Sequence, residues 1–505
     1  MTRDPIRLIP ADFTPVPSLA QLDAADVQVV DELGHDLDAI GVIVHTEGDV
    51  PEVALDREAL ARVGFEGKPG QTLVLPQPTG PTLVAVGAGA ADEQTDASLR
   101  DAAAAFVRAV PKQASLGIRV ASLAGVDAET AARALVEGAL LARYRFAALK
   151  ATPKEVAIER LQLAAEGLDA GTAGVGTGIA AARAASVARD LTNAPPAHLT
   201  APDLADVAVE LGERFGFGVE VFDKAALIEL GCGGLLGVNA GSTVDPRMVK
   251  LTYAPEGEST GHLGLVGKGI TYDSGGISLK PSDGMHALMK MDMGGAANVL
   301  GTFTALRDLG ASAAVTGWMM CTDNMPSGSA TKLGDVLTAR GGTTVEVKNT
   351  DAEGRLVMMD AIALAVEEGV DAIIDIATLT GAALMALGQS RAAVLGTSQA
   401  VVDSLLEASG STDEPLWQLP LEKKYRKLLD SDIADLSNVG ANRYAGATTA
   451  ALFLAEFAGE TPWAHVDIAG TMSVDSDESW RSKGATGFGT RTLVEVARTF
   501  TPPTK

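Results

Sequence analysis

The first part of the chain alternates short β-rich runs with alanine-rich stretches. Runs of apolar and β-branched residues lie at 27–45 and 71–89, and glycines and prolines interrupt them. Alanine-rich segments at 97–110 and 128–149 have the composition of helices, and 156–164 predicts a further strand. Such alternation is typical of a small α/β domain.

A long helix predicted at 173–191 separates this part from the rest. It ends where Asn193 and the three prolines of TNAPPAHLTAP stop helix propagation. We therefore predict an N-terminal α/β domain over 1–170, a linking helix over 171–192 and a larger domain over 193–505. Two domains also suit a chain of 505 residues, since one hydrophobic core rarely serves so long a chain.

The larger domain has the pattern of a three-layer α/β/α fold with a mixed, largely parallel sheet. A helix at 202–215 precedes a strand at 219–223, and an apolar strand follows at 262–267. A helix at 359–369 leads to 370–379, a continuous apolar run typical of a strand buried on both faces. In such sheets, binding and catalytic residues collect at the carboxyl ends of the strands.

Charged side chains recur in three segments that follow predicted strands of this domain. In isolation each segment is ordinary, because acidic residues before a helix favour its N-terminus and a lysine between glycines usually marks a turn. Their recurrence at three strand ends of one sheet indicates a functional site instead. Seven charged residues of these segments are candidates for the site, namely Lys268, Asp273, Lys280, Asp292, Asp351, Glu353 and Arg355.

The third segment has charges at alternate positions, namely Asp351, Glu353 and Arg355. In an extended backbone, alternate residues project to the same side. If the segment is extended, we expect two carboxylates and a guanidinium on one face. Together they could hold divalent cations with an anion beside them.

The inventory of metal-binding residue types narrows the choice of ion. The chain has six histidines without an HExxH or HxH pair, and Cys232 and Cys321 lie far apart. The usual imidazole or thiolate zinc site is therefore excluded. An oxygen-rich site suits Mg²⁺, Mn²⁺, Co²⁺ or carboxylate-held Zn²⁺, and bridging carboxylates favour two ions about 3.5–4 Å apart.

The overall composition excludes several classes of partner. The formal net charge of −25 disfavours nucleic acid and anionic membranes, because phosphate binding requires concentrated Lys and Arg. No run of about 18 uncharged apolar residues predicts a membrane span. The segment MTRDPIRLIPADF has no apolar core before a cleavage site, and the chain has only two cysteines. We therefore expect a cytoplasmic protein in a reducing environment.

Several segments resemble one enzyme family. NTDAEGRL at 349–356 matches the signature of the leucyl aminopeptidases (cytosol aminopeptidases) of the M17 metallopeptidase family without a departure. Two further segments resemble the family's other metal-binding motifs, VGKGITYDSGGISLKP at 266–281 and MDMGGAA at 291–297. The resemblance is strong over 185–495 and only general in the N-terminal domain. Family-like sequences also include ARDLTNAPP (188–196), IATLTGA (376–382), WAHVDIAGT (463–471) and GATGFGTRTL (484–493).

The resemblance implies two divalent metal ions per subunit, Mn²⁺ or Zn²⁺, with Mg²⁺ or Co²⁺ as alternatives. The ligands of the tighter site would be Lys268, Asp273, Asp292 and Glu353. The ligands of the second site would be Asp273, Asp351 (also through its carbonyl) and Glu353. A lysine coordinates only as the neutral amine, and two dications would lower its pKa enough for that. The resemblance also makes Lys280 and Arg355 catalytic residues that are not ligands, with Arg355 holding a bicarbonate ion.

The implied activity is the release of N-terminal, leucine-like residues from peptides with a free N-terminus. The substrate's α-amine would bind one metal, and a water activated by both ions would attack the scissile carbonyl. The side-chain pocket would be lined by Met289, Thr378, Leu379 and Gly381. The resemblance further implies a homohexamer, a dimer of trimers, in which the N-terminal domain serves assembly or regulation.

One segment departs from the family pattern, and other functions remain to be weighed. KPSDGMHALMKMD, from Lys280 to Asp292, is one residue longer than in some relatives, and we expect the extra residue to lie in a loop that leaves Asp292 in place. A two-metal phosphoesterase would also use carboxylates at strand ends, but no phosphate-binding loop accompanies these. A DNA-binding role would need a basic N-terminal domain, whereas residues 1–165 carry more acidic than basic side chains. An inactive relative is disfavoured because all seven key positions are filled.

Overall fold

The computed structural model describes residues 9–10, 13–48, 50, 53, 55–120, 122–123, 125–154 and 156–503. The chain forms two compact units. The smaller unit contains Val16–Ser186 together with Val474–Gly484, and the larger one contains Val187–Ser473 and the chain from Ala485 onward.

The smaller unit is a six-stranded sheet with helices against it. The strand order is β1-β6-β5-β2-β4-β3, in which only the β3–β4 pair is antiparallel. The elements are α1 (Ser18–Ala24), β1 (Asp26–Val29), β2 (Ala39–His45), α2 (Arg57–Arg62), β3 (Thr72–Leu75), β4 (Thr82–Gly89), α3 (Asp96–Ala109), β5 (Ser115–Val120), α4 (Ala128–Arg143) and β6 (Arg160–Ala165).

The helices α3 and α4 pack closely because small residues line their contact. A Cβ atom at Gly138 would lie 2.1 Å from the carbonyl oxygen of Arg100, so only glycine fits there. The predicted helix 128–149 is too long. α4 ends at Arg143, whose guanidinium donates hydrogen bonds to the carbonyls of Val107 and Val110 at the end of α3.

The long helix α5 (Thr172–Asn193) follows, in agreement with the predicted helix at 173–191. The remaining elements are α6 (Ala201–Phe215), β7 (Gly218–Phe222), α7 (Lys224–Leu230), α8 (Gly233–Asn239), β8 (Arg247–Tyr253), β9 (His262–Asp273), α9 (Gly284–Leu288), α10 (Gly294–Leu306), β10 (Ala314–Asn324), β11 (Val336–Thr338), β12 (Thr344–Glu346), α11 (Gly354–Glu368), β13 (Ala372–Ala377), α12 (Gly381–Leu387), β14 (Ala392–Gly396), α13 (Gln399–Thr412), β15 (Leu416–Gln418), β16 (Leu436–Ser437), α14 (Gly446–Ala458), β17 (Trp463–Asp467), β18 (Ser473–Val474), β19 (Gly484–Ala485) and α15 (Thr490–Thr499).

The larger unit is built on an eight-stranded mixed sheet of order β15-β14-β17-β13-β9-β10-β8-β7. Its central strands β17, β13, β9 and β10 are parallel, and antiparallel pairs join β14 to β17, β8 to β10 and β7 to β8. Every residue of β13 is buried, as its continuous apolar run predicts. The predicted α/β fold with a mixed, largely parallel sheet is confirmed.

Helices cover both faces of this sheet. Along β9, Gly267 faces α10, where a Cβ atom would lie 2.7 Å from Cα of Ala296. The residues on either side of it point the other way: Val266 packs with the buried residues of α11, and Lys268 lies against Gly354 at the start of α11. The sheet therefore presents Lys268 on its α11 side, near the carboxyl ends of the parallel strands.

Among the described residues, no helix is both long enough and apolar enough to cross a membrane.

Candidate metal centre

Lys268 is a buried lysine in the middle of a buried strand, only 3% exposed. Its Nζ lies 2.8 Å from Oδ2 of Asp292 and 2.8 Å from Oε1 of Glu353, and it donates a hydrogen bond to the carbonyl of Thr378 at 3.0 Å. Burial alone would lower the pKa of Lys268, but the charges of Asp292 and Glu353 outweigh it and raise the pKa above its usual value. The amine is thus fixed among carboxylates.

Glycine at position 354 makes this contact sterically feasible. A Cβ atom there would lie 2.7 Å from Cε and 2.8 Å from Nζ of Lys268. Gly354 opens α11, and Glu353 is the residue that caps this helix. The close approach of strand β9 and helix α11 therefore depends on the absence of a side chain at the helix start.

Lys280 holds a second pair of carboxylates. Its Nζ lies 2.8 Å from Oδ2 of Asp273 and 2.5 Å from Oδ1 of Asp351. The other oxygen of Asp273 accepts hydrogen bonds from the Gly275 backbone and from Nδ2 of Asn324, at 2.9 and 2.8 Å. Burial would lower the pKa of Lys280, but the charge of Asp273 and its hydrogen bond raise it overall.

Carboxylates converge at this edge of the sheet. Oxygens of Asp273, Asp292 and Glu353 all lie within 4.8 Å of one another, and all three residues are buried. Burial, together with the neighbouring negative charges, raises the pKa of Asp292 well above its usual value. Burial also raises the pKa of Asp351, to about 6.

This donor set fits divalent cations. Four carboxylates face the two ammonium groups of Lys268 and Lys280, which leaves an excess of negative charge. Oε2 of Glu353 is buried without a hydrogen-bond partner. Such an atom is costly unless a ligand satisfies it. Hard dications prefer oxygen donors of this kind, and a lysine amine can join them in its neutral form.

The segment from Asp351 to Arg355 is not extended throughout, so the condition for Asp351, Glu353 and Arg355 to share one face is not met. Glu353 already has helical dihedral angles, with φ −79° and ψ −33°, and α11 begins at the next residue. Nη1 of Arg355 donates to the Asn438 carbonyl at 2.8 Å, and the charges of Glu353 and Asp467 act on the buried guanidinium. Its Nε is buried without a hydrogen-bond partner, and burial lowers the pKa of Arg355 to about 10.

A cavity of about 330 Å³ opens beside the charged residues. The four residues predicted to form the side-chain pocket all line it, namely Met289, Thr378, Leu379 and Gly381. Sequence reasoning missed several further lining residues, Met285, His286, Leu384 and Met472 among them. Nothing in their local pattern distinguishes them from core residues. Asn324 could have been found, because it ends β10 in register with Asp273 on β9.

The long segment between Lys280 and Asp292 folds as α9 followed by a 3₁₀ helix over Met289–Met291. Asp292 lies directly after it and contacts Lys268. The position of an extra residue within this segment stays a prediction. Met289 occupies the first position of the 3₁₀ helix and lines the cavity.

An oxygen-rich centre at the carboxyl ends of parallel strands, beside an open cavity, is the arrangement of an α/β metalloenzyme. Family comparison agrees with this class. The family model described as "Cytosol aminopeptidase family, catalytic domain" matches residues 186–494, and that of the N-terminal domain of the same family matches residues 55–153. The chain belongs to this cytosol aminopeptidase (M17) family of metallopeptidases, and the family predicted from NTDAEGRL is confirmed.

Full-length relatives agree with this assignment. The chain is 42% identical over 489 residues to a protein named "Probable cytosol aminopeptidase" from Chlorobaculum tepidum, covering 92% of this chain and 94% of the relative. A protein of the same name from Streptomyces avermitilis is 44% identical over 460 residues, with 87% and 88% covered. A solved structure, "Bottromycin maturation enzyme BotP in complex with Mn", is similar with a TM-score of 0.83 and 38% identity. That comparison covers 92% of this chain and 99% of BotP.

Proposed function

We propose that the chain releases leucine-like residues from peptides with a free N-terminus, using two divalent ions. The observation that carries the proposal is the convergence of the Lys268 amine with three buried carboxylates, one of which has an unpartnered oxygen. The proposed ligands are Lys268, Asp273, Asp292, Asp351 and Glu353.

The carboxylates at the centre divide into two overlapping ligand sets. Asp273 and Glu353 belong to both sets, with Lys268 and Asp292 completing the tighter site and Asp351 the second. Lys268 would bind as the neutral amine, because adjacent dications lower the pKa of a ligating group. The similar BotP structure is a complex with Mn, which supports Mn²⁺ here, with Zn²⁺, Mg²⁺ and Co²⁺ as alternatives.

Two bound dications would supply Lewis-acid polarisation of the scissile carbonyl and a lowered pKa for a nucleophilic water. The chain's own contribution centres on Lys280. Its ammonium, held by Asp273 and Asp351, is a fixed positive charge at the rim of the cavity. A charge already in place stabilises a developing oxyanion without reorganisation.

Arg355 is proposed to hold a bicarbonate ion that serves as the general base. Its buried Nε lacks a hydrogen-bond partner, so a donor of the guanidinium remains for a small planar anion. The carboxylates that converge with Lys268 and Lys280 are the proposed metal ligands, which leaves none of them as an evident general base.

The lining of the cavity suits an apolar substrate side chain and a substrate α-amine. Met285, Met289, Leu379 and Leu384 contribute an apolar part of its lining, whereas the carboxylates lie in its polar part. An apolar pocket discriminates by roughly 1–3 kcal/mol per methylene, so we expect a broad preference for leucine-like residues. We further propose a cytoplasmic location and a homohexamer arranged as a dimer of trimers.

The test is hydrolysis of leucine-p-nitroanilide compared with its N-acetylated form in Mn²⁺ buffer. We expect turnover of the free amine substrate and a loss of at least 100-fold when the amine is blocked. p-Nitrophenyl phosphate serves as the control for phosphoesterase activity. Equal hydrolysis of the two anilides contradicts the proposal, because it removes the role of the α-amine.

A further inference from the structure

Asp467, the last residue of β17, is a buried carboxylate outside the proposed ligand set, 1% exposed. Its Oδ2 accepts a hydrogen bond from the Thr380 hydroxyl at 2.7 Å. Its Oδ1 accepts from the backbone N–H groups of Leu379, Thr380 and Ala469 at 3.2, 3.3 and 3.1 Å. The carboxylate thus ties together the loops that follow β13 and β17.

The first residue of the loop after β13 contacts two proposed ligands. The carbonyl of Thr378 accepts a hydrogen bond from Nζ of Lys268 at 3.0 Å. The hydroxyl of Thr378 donates to Oδ1 of Asp292 at 2.7 Å. One residue therefore touches both ligands that are exclusive to the tighter site, and the two residues after it are the ones that Asp467 holds.

Both contacts constrain orientation. A neutral amine has one lone pair, and a fixed acceptor for one of its N–H groups restricts rotation of the Lys268 head group about Cε–Nζ. Because the Thr378 hydroxyl donates to Oδ1 of Asp292, the other oxygen, Oδ2, faces Lys268 at 2.8 Å from Nζ. Outer partners of this kind typically change metal affinity or activity by about 10–100-fold when they are removed.

The side chains next to Asp467 belong to the packed strands β13 and β17. Nε2 of His465 lies 4.0 Å from Oδ2 of Asp467, and Nδ1 of His465 lies 2.5 Å from Oδ1 of Asp375. The indole N–H of Trp463 donates to the other oxygen of Asp375 at 2.7 Å. These residues are buried on the paired strands β13 and β17, which makes the support of Asp467 rigid.

We propose that Asp467 is a positioning residue that fixes Thr378 through Leu379 and Thr380, and so orients Lys268 and Asp292 for the ion at the tighter site. This inference rests on the proposed metal site. It adds a residue far along the chain from NTDAEGRL, joined by hydrogen bonds to the loop after β13.

The experiment measures Mn²⁺ affinity of the full chain by competition with a fluorescent chelator, together with thermal unfolding of the metal-free protein. Asp467→Asn retains the size of the side chain but replaces one acceptor oxygen with a donor. We expect about 10–100-fold weaker Mn²⁺ binding at the tighter site. Asp371→Asn is the control. Asp371 accepts the His262 backbone N–H where β13 and β9 begin, at the end of β13 opposite to Thr378. It should retain wild-type affinity.

Thr378→Val tests whether Thr378 orients the proposed ligands, and it leaves Asp467 unchanged. It removes the hydroxyl bond to Asp292 and keeps the carbonyl bond to Lys268, so we expect weaker Mn²⁺ binding with unchanged unfolding of the metal-free protein. Thr378→Ser, which restores a hydroxyl, should recover the affinity. Wild-type affinity in Asp467→Asn, or in Thr378→Val if Asp467→Asn does not fold, overturns the proposal. A wild-type chain that binds no Mn²⁺ instead contradicts the proposed function on which the inference rests.

Discussion

Nζ of Lys268 lies 2.8 Å from Oε1 of Glu353, although one residue belongs to a central strand and the other caps a helix. Gly354 makes the contact possible, because any Cβ atom there would meet the end of the lysine side chain. The amine and the carboxylate are adjacent only because this helix begins on a residue without a side chain. The contact links the steric requirement of the fold to the proposed ligand geometry.

Gly354→Ala should weaken both metal binding and the metal-free fold. The added methyl group would displace the end of Lys268 from its buried partners Asp292 and Glu353. Because separating a buried ion pair is destabilising, we expect a lower unfolding temperature of the metal-free protein and a loss of Mn²⁺ affinity of about 10-fold or more. Gly410→Ala, in α13 with no atom near the added Cβ, is the matched control. A variant that binds Mn²⁺ normally would show that the Lys268 amine is not a ligand.

Lys280→Ala should lower kcat and leave the metals bound. Lys280 contacts two proposed ligands through charge but is not itself a ligand in the proposal, so its loss removes a stabilising cation from the oxyanion. Removal of one oxyanion donor typically costs about 100–1,000-fold in kcat. The measurement combines steady-state kinetics with metal content by mass spectrometry. Lys250→Ala, which removes an ion pair to Glu368, serves as the control. Loss of metal from Lys280→Ala would assign Lys280 a different role.

Arg355→Lys should abolish the dependence of turnover on bicarbonate. Lysine retains a positive charge but lacks the forked donors that suit a planar anion. In buffer purged of carbon dioxide, we expect slower turnover by the wild type and recovery on addition of bicarbonate, whereas the variant should respond to neither change. Wild-type rates that do not depend on bicarbonate would remove the anion from the mechanism.

Asp360 should make stability depend on pH. It is fully buried in α11 and accepts backbone N–H groups of Leu235 and Arg340, and burial raises its pKa from 3.8 to about 7. A raised folded-state pKa means that the native chain holds the proton more tightly, so this stabilisation is complete below about pH 4 and is lost as pH rises to about 7. Asp360→Asn does not titrate. The wild-type unfolding temperature, measured relative to that of Asp360→Asn, should therefore fall between about pH 4 and pH 7. A constant difference would show that Asp360 is ionised throughout.

Much of the centre could be predicted because the sheet brings it together. Parallel strands place their carboxyl ends at one edge, so the carboxyl-terminal part of β9 with Lys268 and Asp273 was expected on the same edge as Thr378 after β13. The prediction of three strand ends of one sheet is wrong, however: Lys268 and Asp273 lie on this sheet, whereas Asp292 follows a 3₁₀ helix and Asp351 follows β12 of a three-stranded sheet. The same reasoning gave the α/β class, because continuous apolar runs such as β13 occur in strands buried on both faces.

Other features depend on contacts that no local pattern records. Glu353 has helical dihedral angles and Gly354 packs against Lys268, and the alternation of charges along the segment reveals neither feature. Asp467 stands in an apolar strand, and its partners Leu379 and Thr380 come from a different strand end. The early end of α4 likewise depends on Arg143 reaching the carbonyls of α3.

The proposed activity depends on two divalent ions bound among these carboxylates and on chemistry that requires them. The most direct measurement is titration of the metal-free chain with Mn²⁺, with bound metal and hydrolysis of leucine-p-nitroanilide followed in the same samples. We predict two Mn²⁺ ions per chain at saturation, no turnover without metal, and no stable second ion in Glu353→Gln. Full turnover by metal-free protein in excess chelator would contradict the two-metal chemistry.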